Sequence, residues 1–292
     1  MNQQEMREKV LMAIQEVPLL SPSATRLLEL SSQSDYDIDE VIETVKFDAA
    51  LTARLLKVVN SVAYGLVHEV TSIERAVTYL GERVVASIAL GESAKALFNK
   101  ELKGYEGPKG ELWAHDLRTA IAAREVARFC TTDLSSDLAF TAGILHAVGK
   151  AILTEFLEDT SHAMLGDIDS HDATDYLSGE RARLGIDHTE AGYELACAWK
   201  LPVALQMAIR YHHAPAEAPA EHQALVYAVH LGCILAMMSG SQASDALQYH
   251  LDKQYTDYFD LKPEQIAMIV LEMNETFSTL QGALSEFKEN SQ

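Results

Sequence analysis

The sequence is poor in cysteine. Its three cysteines, Cys130, Cys197 and Cys233, lie far apart and are odd in number, and no pair has the spacing of a CxxC motif. A disulfide framework is therefore not expected, and this pattern is typical of a protein that works in a reducing cytoplasm.

Positive charge is also scarce. The chain carries 23 lysine and arginine residues against 43 aspartate and glutamate residues, which gives a formal net charge of −20. General nucleic-acid binding needs clustered basic side chains that neutralise phosphates, and docking on an anionic membrane needs similar clusters. No Lys/Arg-rich block is present, so neither nucleic acid nor a membrane is predicted as a partner.

Long apolar runs are missing as well. The first nine residues contain no apolar stretch of the kind that a signal peptide needs. The longest candidate for a membrane span, residues 225–238, is short for that purpose and contains His230. We therefore expect a soluble, cytoplasmic protein, and 292 residues give it room for two helical subdomains.

Helical periodicity extends over almost the whole chain. Met6, Val10, Ile14 and Val17 recur every three or four residues at the N-terminus, as on the buried face of an amphipathic helix. Ser21-Pro22 and Asp48 are typical helix starts, Gly81 is a typical helix end, and one long helix is predicted from about residue 84 to residue 98. No alternating strand pattern or internal repeat is found, so the sequence predicts an all-α fold.

Three glycines and a proline between residues 104 and 110 interrupt this pattern most clearly. Such a concentration of turn-forming residues predicts a loop, and we place a subdomain boundary there. The predicted organisation is an N-terminal helical bundle over residues 1–105, a second bundle over 110–240 and a C-terminal helical extension over 241–292.

The histidines of the second half are the main candidates for chemistry. His146 ends an apolar run, and Gly149 interrupts the helical pattern soon after it. His115, His188 and the pair His212-His213 recur at wide intervals, and histidines from separate helices can build a metal site in a helical protein. A hydrogen-bonded polar network in the protein interior, or bound water, would suffice to explain them and is the favoured interpretation of His146. His68, His162, His171, His222 and His250 lie in polar contexts and are expected to be solvated.

Few carboxylates accompany these histidines in the sequence. Asp116, Asp187 and Glu190 are the nearest, and we expect all three to cap helices or to lie at the surface. Asn60 is expected to cap or turn the end of its helix. Met268, Leu271 and Leu280 form an apolar stripe that predicts core packing or a contact between subunits, which would make the chain a homo-oligomer.

Several motifs, in order, resemble a known family. In the first half they are Pro18-Leu19 with Pro22, Asp48 at a helix start, and NSVAY at 60–64 followed by Ile73, Ala76 and Leu80-Gly81. In the second half they are WAH at 113–115, GILH at 143–146, Gly149-Lys150, LGIDHTEAG at 184–192, WKLP at 199–202 and IRYHH at 209–213. The second half resembles the HD/HD-GYP superfamily of metal-dependent phosphohydrolases. The whole chain, over about residues 15–240, resembles the signalling relative of that superfamily, the HDOD domain (HD-related output domain).

The resemblance implies a phosphodiesterase-like HD helical bundle with an additional N-terminal helical bundle. In catalytic HD proteins an aspartate follows the central histidine and another comes later, and the site binds one or two divalent ions. Here Ala147 and Cys233 occupy the expected aspartate positions. Removing carboxylates that bind the metal directly weakens metal binding, so no catalytic residue is assigned.

The remaining candidate metal pocket consists of His115, His146, His188, His212 and His213. No cofactor is expected, although imidazole nitrogens alone could hold a single divalent transition metal such as zinc, iron or nickel.

We therefore interpret the chain as a non-catalytic, bacterial, cytoplasmic signal-transduction module that acts through protein contacts. HDOD domains are commonly attached to receiver or diguanylate-cyclase-type domains. This chain leaves no room for one, so its signalling partners are expected to act in trans.

One alternative is a metal-dependent phosphohydrolase that cleaves a nucleotide or cyclic dinucleotide at an atypical histidine-rich site. Another is a catalytically inactive pocket that senses a small phosphorylated ligand.

Overall fold

A computed structural model describes residues 2–33, 37–61, 64–66, 68–98, 100–105, 107–158, 175–239 and 251–289. Within these ranges the regular structure is helical, and β-type pairing is limited to two isolated bridges, Leu102 with Gly107 and Cys130 with Phe259. The prediction of an all-α fold is confirmed.

The first half contains helices that mostly begin and end where the sequence predicts. The side chains of Ser21 and Asp48 each accept a backbone hydrogen bond at a helix start, and Gly81 ends a helix with a φ of 74°. The helices are α1 (Gln3–Glu16), α2 (Pro22–Ser31), α3 (Ile38–Lys46), α4 (Ala49–Val59), α5 (Ile73–Leu80), α6 (Glu82–Ser93) and the short α7 (Lys95–Phe98).

The predicted single helix over residues 84–98 is wrong. The chain turns at Ala94, so α6 and α7 are separate helices. At the end of α6 the Ser93 hydroxyl accepts a hydrogen bond of 2.6 Å from the backbone N–H of Ser21, which ties this point to the start of α2. The turn after it allows Leu97 and Phe98 to be buried.

The second half is built around three packed helices, α8 (Glu111–Ala127), α9 (Ser136–Leu145) and α14 (Gln223–Met238). Helix α15 (Pro263–Glu289) also lies against α8. The other helices of this half are α10 (Lys150–Leu157), α11 (Tyr176–Leu184), α12 (His188–Ala198) and α13 (Val203–Tyr211).

Helix α1 lies against the second half of the chain, on α11 and α12. The side-chain amide of Gln3 donates a 2.6 Å hydrogen bond to the carbonyl oxygen of Ala182, and Arg7 forms an ion pair with Glu190. The indole N–H of Trp199 donates to the carbonyl oxygen of Pro18 over 3.0 Å. One buried apolar cluster, which runs from Val10 to Leu280, joins both halves. The subdomain boundaries remain predictions.

One segment of the described chain is long and apolar enough to cross a membrane by length and composition. It is Ser136–Leu157, which contains α9 and α10, and not the 225–238 segment that the sequence suggested. Because 89% of its most apolar window is buried inside the fold, the segment fits a place in the protein core. Buried core helices can be as long and apolar as membrane-spanning helices.

Candidate functional site

Five histidines meet where four helices of the second half approach each other. His115 lies within α8, His146 follows the last residue of α9, and His188 is the first residue of α12. His212 and His213 follow the last residue of α13. All are buried except His213, which is partly exposed. The structure therefore brings together every histidine that the sequence singles out for a metal pocket.

Two glycines allow the helices that carry these histidines to approach each other closely. A Cβ atom on Gly143 would lie 2.5 Å from the Cα of Ala120, so only glycine lets α9 contact α8 here. A Cβ on Gly149 would lie 2.0 Å from the carbonyl oxygen of His188, so only glycine lets α12 begin next to the turn that carries His146.

The imidazole rings form two pairs, each joined through Nε2 atoms. The Nε2 atoms of His115 and His146 are 3.2 Å apart, and those of His188 and His213 are 3.1 Å apart. His212 lies between the pairs, with its ring centroid 4.9 Å from that of His146 and 4.0 Å from that of His213.

The two positions where catalytic HD proteins have aspartate offer no carboxylate here. Ala147 is buried and has only a methyl group. Cys233, on α14, places its Sγ 3.6 Å from Nε2 of His115. The potential ligand atoms form two triads, each with its members within 4.8 Å of one another: His115, His146 and Cys233, and His188, His212 and His213.

The hydrogen bonds on the outer sides of the rings determine which nitrogens have free lone pairs. Nδ1 of His146 lies 2.8 Å from the carbonyl oxygen of Gly143, and Nδ1 of His212 lies 2.9 Å from that of Ile209. A carbonyl oxygen only accepts, so each Nδ1 carries the proton, and a neutral ring then has its lone pair on Nε2. Within the described chain, Nε2 of His212 has no hydrogen-bond partner although it is buried.

Glu180 on α11 holds His188 in the same way. Its carboxylate accepts hydrogen bonds from the backbone N–H of His188 at 2.7 Å and from Nδ1 of His188 at 3.0 Å. The hydroxyl of Tyr105 also donates to Glu180, over 2.7 Å. Sequence reasoning missed Glu180, because a separation of eight residues from His188 across a turn is not a recognisable motif.

Asp116 contradicts the expectation of a cap or surface role. It lies inside α8, is fully buried, and places Oδ1 3.4 Å from Nδ1 of His146. In the described part of the chain neither of its carboxyl oxygens has a hydrogen-bond partner. Burial raises the pKa of Asp116 well above its usual value, against the opposing effect of the Lys150 charge, and so favours the uncharged carboxyl group.

The expectations for the other carboxylates are confirmed. Asp187 caps α12 by accepting from the backbone N–H of Glu190 at 2.9 Å, although Asp187 itself is buried. Glu190 is partly exposed and pairs with Arg7. Of the histidines expected to be solvated, His68 is exposed and His222 is partly exposed. The other three lie outside the described residues: His162, His171 and His250.

The pocket holds little charge of its own. Burial lowers the pKa values of His115, His146, His212 and His213 well below the usual histidine value, so these rings are neutral. Burial also raises the pKa of the Cys233 thiol to about 12. Beneath the rings, burial lowers the pKa of the Lys150 ammonium group, and the charge of Glu180 acts against this effect.

This donor set fits some metal ions and not others. Imidazole nitrogen and cysteine sulfur suit zinc and related transition metals, whereas magnesium and manganese prefer oxygen ligands. Three imidazoles have Nδ1 atoms held by a carbonyl or carboxylate oxygen, as in many metal-binding histidines. The residues therefore fit a single transition metal better than an oxygen-bridged pair of ions.

Solved structures with the same fold cover nearly the whole chain. An HDOD domain protein of unknown function from Geobacter sulfurreducens is 22% identical, with a TM-score of 0.67 and coverage of 97% of both chains. A provisionally assigned signal-transduction protein from Marinobacter aquaeolei VT8 is 22% identical, with a TM-score of 0.76 over 98% of this chain and 67% of that one. A provisionally assigned phosphohydrolase from Shewanella amazonensis SB2B is 22% identical, with a TM-score of 0.65 over 94% and 97%.

Among curated proteins, an uncharacterised protein of Treponema pallidum (strain Nichols) is 24% identical over 221 residues. The match covers 74% of this chain but 41% of that protein, so the chain spans about two fifths of its relative. The sequence model of the HDOD domain matches residues 17–215, which include the whole histidine pocket except Cys233. The chain therefore belongs to the HDOD domain family.

Proposed function

We propose that this chain is a non-catalytic, cytoplasmic signal-transduction module that acts through contacts with signalling proteins in trans. The observation that carries the proposal is the absence of a carboxylate ligand from the described histidine pocket. Ala147 and Cys233 stand at the aspartate positions, and the nearby carboxyl groups of Asp116 and Glu180 lie on the Nδ1 sides of His146 and His188. There Glu180 orients the imidazole of His188 through a hydrogen bond, and Asp116 lies 3.4 Å from Nδ1 of His146.

Electrostatics argue against a two-metal phosphohydrolase. Two divalent ions together carry about four positive charges, and a ligand that bridges the two ions is usually an anionic oxygen. The imidazoles of His115, His146, His212 and His213 are neutral, the Cys233 thiol is protonated in the metal-free pocket, and burial favours the uncharged form of Asp116. The described pocket therefore supplies too little negative charge to offset that of two divalent ions.

A partner surface is available on the last helix. Met268 and Leu271 on α15 are 62% and 64% exposed, whereas Leu280 of the same stripe is buried. Exposed apolar side chains that neighbour one another on a helix are typical of protein contacts. They support contact with a partner protein or with a second copy of the chain.

The test is a phosphodiesterase assay on the full chain with cyclic dinucleotides and nucleotides, in Mn²⁺, Fe²⁺, Ni²⁺ and Mg²⁺. We expect no turnover above that of His146→Ala. The double variant Ala147→Asp/Cys233→Asp is the matched control, because it restores carboxylates at both positions and leaves the histidines in place. Turnover by the unmodified chain that His146→Ala abolishes would overturn the proposal.

The second candidate function is a metal-dependent phosphohydrolase, and the two ligand triads favour it. One triad, or both, would hold the metal, which would act as a Lewis acid and activate a water molecule. The chain would contribute imidazoles whose Nδ1 atoms are held by Gly143, Ile209 and Glu180. The same assay separates this candidate from the first.

A further inference from the structure

We infer that the pocket binds one zinc-class cation through Nε2 of His115, Nε2 of His146 and Sγ of Cys233. Cys233 makes this site select sulfur- and nitrogen-preferring ions over Mg²⁺ and Mn²⁺. The inference goes beyond the proposed function, which holds whether or not an ion is bound.

The three ligand atoms already lie together. All lie within 4.8 Å of one another, with 3.2 Å between the two Nε2 atoms and 3.6 Å between Sγ and Nε2 of His115. The three side chains come from three helices, α8, α9 and α14, and are 2%, 1% and 5% exposed. A buried cluster of three potential donors on packed helices needs only small side-chain movements to surround an ion.

The orientation of His146 suits a metal ligand. Its Nδ1 donates to the carbonyl oxygen of Gly143, so the lone pair of Nε2 points into the pocket. A ligating histidine almost always donates its other ring N–H in this way, which fixes both the tautomer and the ring orientation.

A second observation points to a ligand independently of the cysteine. His212 is 1% exposed, its Nδ1 is held by the carbonyl oxygen of Ile209, and within the described chain its Nε2 has no hydrogen-bond partner. Buried polar atoms without partners are rare in native proteins. The ring of His212 lies 4.9 Å from that of His146, so His212 is the nearest candidate for the fourth donor of a tetrahedral site.

Sulfur determines the class of ion. When the bond to the cation forms, the Sγ–H bond of Cys233 breaks, the proton goes to solvent and the thiolate lone pair binds the metal. Thiolate ligands favour zinc, cobalt or cadmium, whereas Mg²⁺ needs oxygen ligands and retains water. The nearby oxygens of Asp116 and Glu180 lie on the Nδ1 sides of His146 and His188, and Glu180 holds its ring by a hydrogen bond.

The experiment is a Co²⁺ titration of the metal-stripped full chain, followed by absorption spectroscopy. We expect one equivalent of cobalt, a near-ultraviolet sulfur-to-cobalt charge-transfer band, and displacement by Zn²⁺ but not by Mg²⁺. Cys233→Ser should abolish the band and weaken binding by at least about 10- to 100-fold. Cys130→Ser and Cys197→Ser are matched controls, because both thiols lie outside the two triads, and they should keep the band.

Several results would overturn the inference: no saturable cobalt binding, cobalt bound without the sulfur band, or a band that survives in Cys233→Ser. Binding without the band would assign the ion to His188, His212 and His213 instead. If Cys233→Ser does not fold, zinc-edge X-ray absorption of the unmodified protein decides the question by the presence of a sulfur scatterer. Phosphodiesterase turnover, measured on the same samples, tests the proposed function separately.

Discussion

At the scale of single residues, the pocket depends on side chains that lie behind the histidines. Glu180 accepts three hydrogen bonds, from the backbone and ring of His188 and from the hydroxyl of Tyr105. It is fully buried, so no water can replace these bonds if the carboxylate is lost.

Glu180→Ala is therefore expected to lower the free energy of unfolding by about 3–5 kcal/mol, the cost of leaving buried partners unpaired. Urea unfolding measures the change. The control is Glu190→Ala, which removes a partly exposed carboxylate paired with Arg7 and should cost at most about 1 kcal/mol. Equal losses in the two variants would show that Glu180 has no special role.

The buried histidines also predict how stability depends on pH. Burial lowers the pKa values of His115, His146, His212 and His213 below the unfolded value of about 6.5. As the pH falls below 6.5, the unfolded chain binds protons that the folded chain does not, so stability falls by up to about 1.4 kcal/mol per pH unit for each histidine. The raised pKa of Asp116 acts in the opposite direction but is a single group. We expect the metal-stripped protein to lose stability steeply between about pH 6.5 and pH 5.

Urea unfolding at several pH values measures this slope. His212→Gln should make the slope shallower, because it removes one of the groups that cause it. His68→Gln changes an exposed histidine and should leave the slope unchanged. A slope that is the same in all three proteins would show that the pocket does not control the pH dependence.

The sequence predicted which histidines meet but not what holds them. Their spacing and the family resemblance are visible in the chain, and helices α8, α9, α12 and α13 bring them together. Asp116 was expected to cap a helix or to lie at the surface, because charged residues are usually exposed. It is buried because α9, α14 and α15 pack on α8 and leave the side chain of Asp116 no contact with solvent. Which helices pack on α8 is a property of the tertiary structure, and a local sequence pattern does not reveal it.

At the scale of secondary-structure elements, the turn between α9 and α10 determines where His146 lies. The backbone of Gly149 touches the first turn of α12, so Gly149→Ala would place a methyl group 2.0 Å from the carbonyl oxygen of His188. Both helices have buried backbones here and cannot separate without opening the core. We expect the variant to lose about 3 kcal/mol or more of stability, as overpacking a core does at its upper end.

Thermal unfolding measures this loss. Gly91→Ala is the matched control, since its methyl group would meet only the ring edge of Trp113, at 3.1 Å, and a side chain can shift by a few tenths of an ångström. A similar fall in the midpoint for both variants would contradict the specific role of Gly149.

Helix ends were predicted correctly where the residue at the end of the helix itself caps or stops it. Ser21, Asp48 and Gly81 mark helix ends by their own chemistry, and the structure places ends there. The break at Ala94 was missed because apolar periodicity continues through it. The contact at that point, from Ser21 to the hydroxyl of Ser93, joins residues 72 positions apart, so it is invisible to a local pattern.

At the scale of the whole molecule, the first helix links the N-terminal part to the pocket-bearing part. Val10 and Ile14 of α1 are buried, and α1 packs on α10, α11 and α12. The same helices carry Lys150, Glu180 and His188 at or beneath the pocket. A continuous apolar core implies that both parts unfold together, because neither can expose its share of the core alone without a large loss of hydrophobic burial.

Ile14→Ala tests this coupling. Truncating a buried isoleucine should lower the free energy of unfolding by about 2–5 kcal/mol. If the two parts form one cooperative unit, tryptophan fluorescence from Trp113 and Trp199 and far-ultraviolet circular dichroism will report a single urea transition that shifts by the same amount. Met12→Ala alters the same helix at a side chain that is 67% exposed, so its transition should move by less than about 0.5 kcal/mol. Two separated transitions in Ile14→Ala would instead mean that α1 can detach while the remaining helices stay folded, and the pocket would then be stable without its N-terminal support.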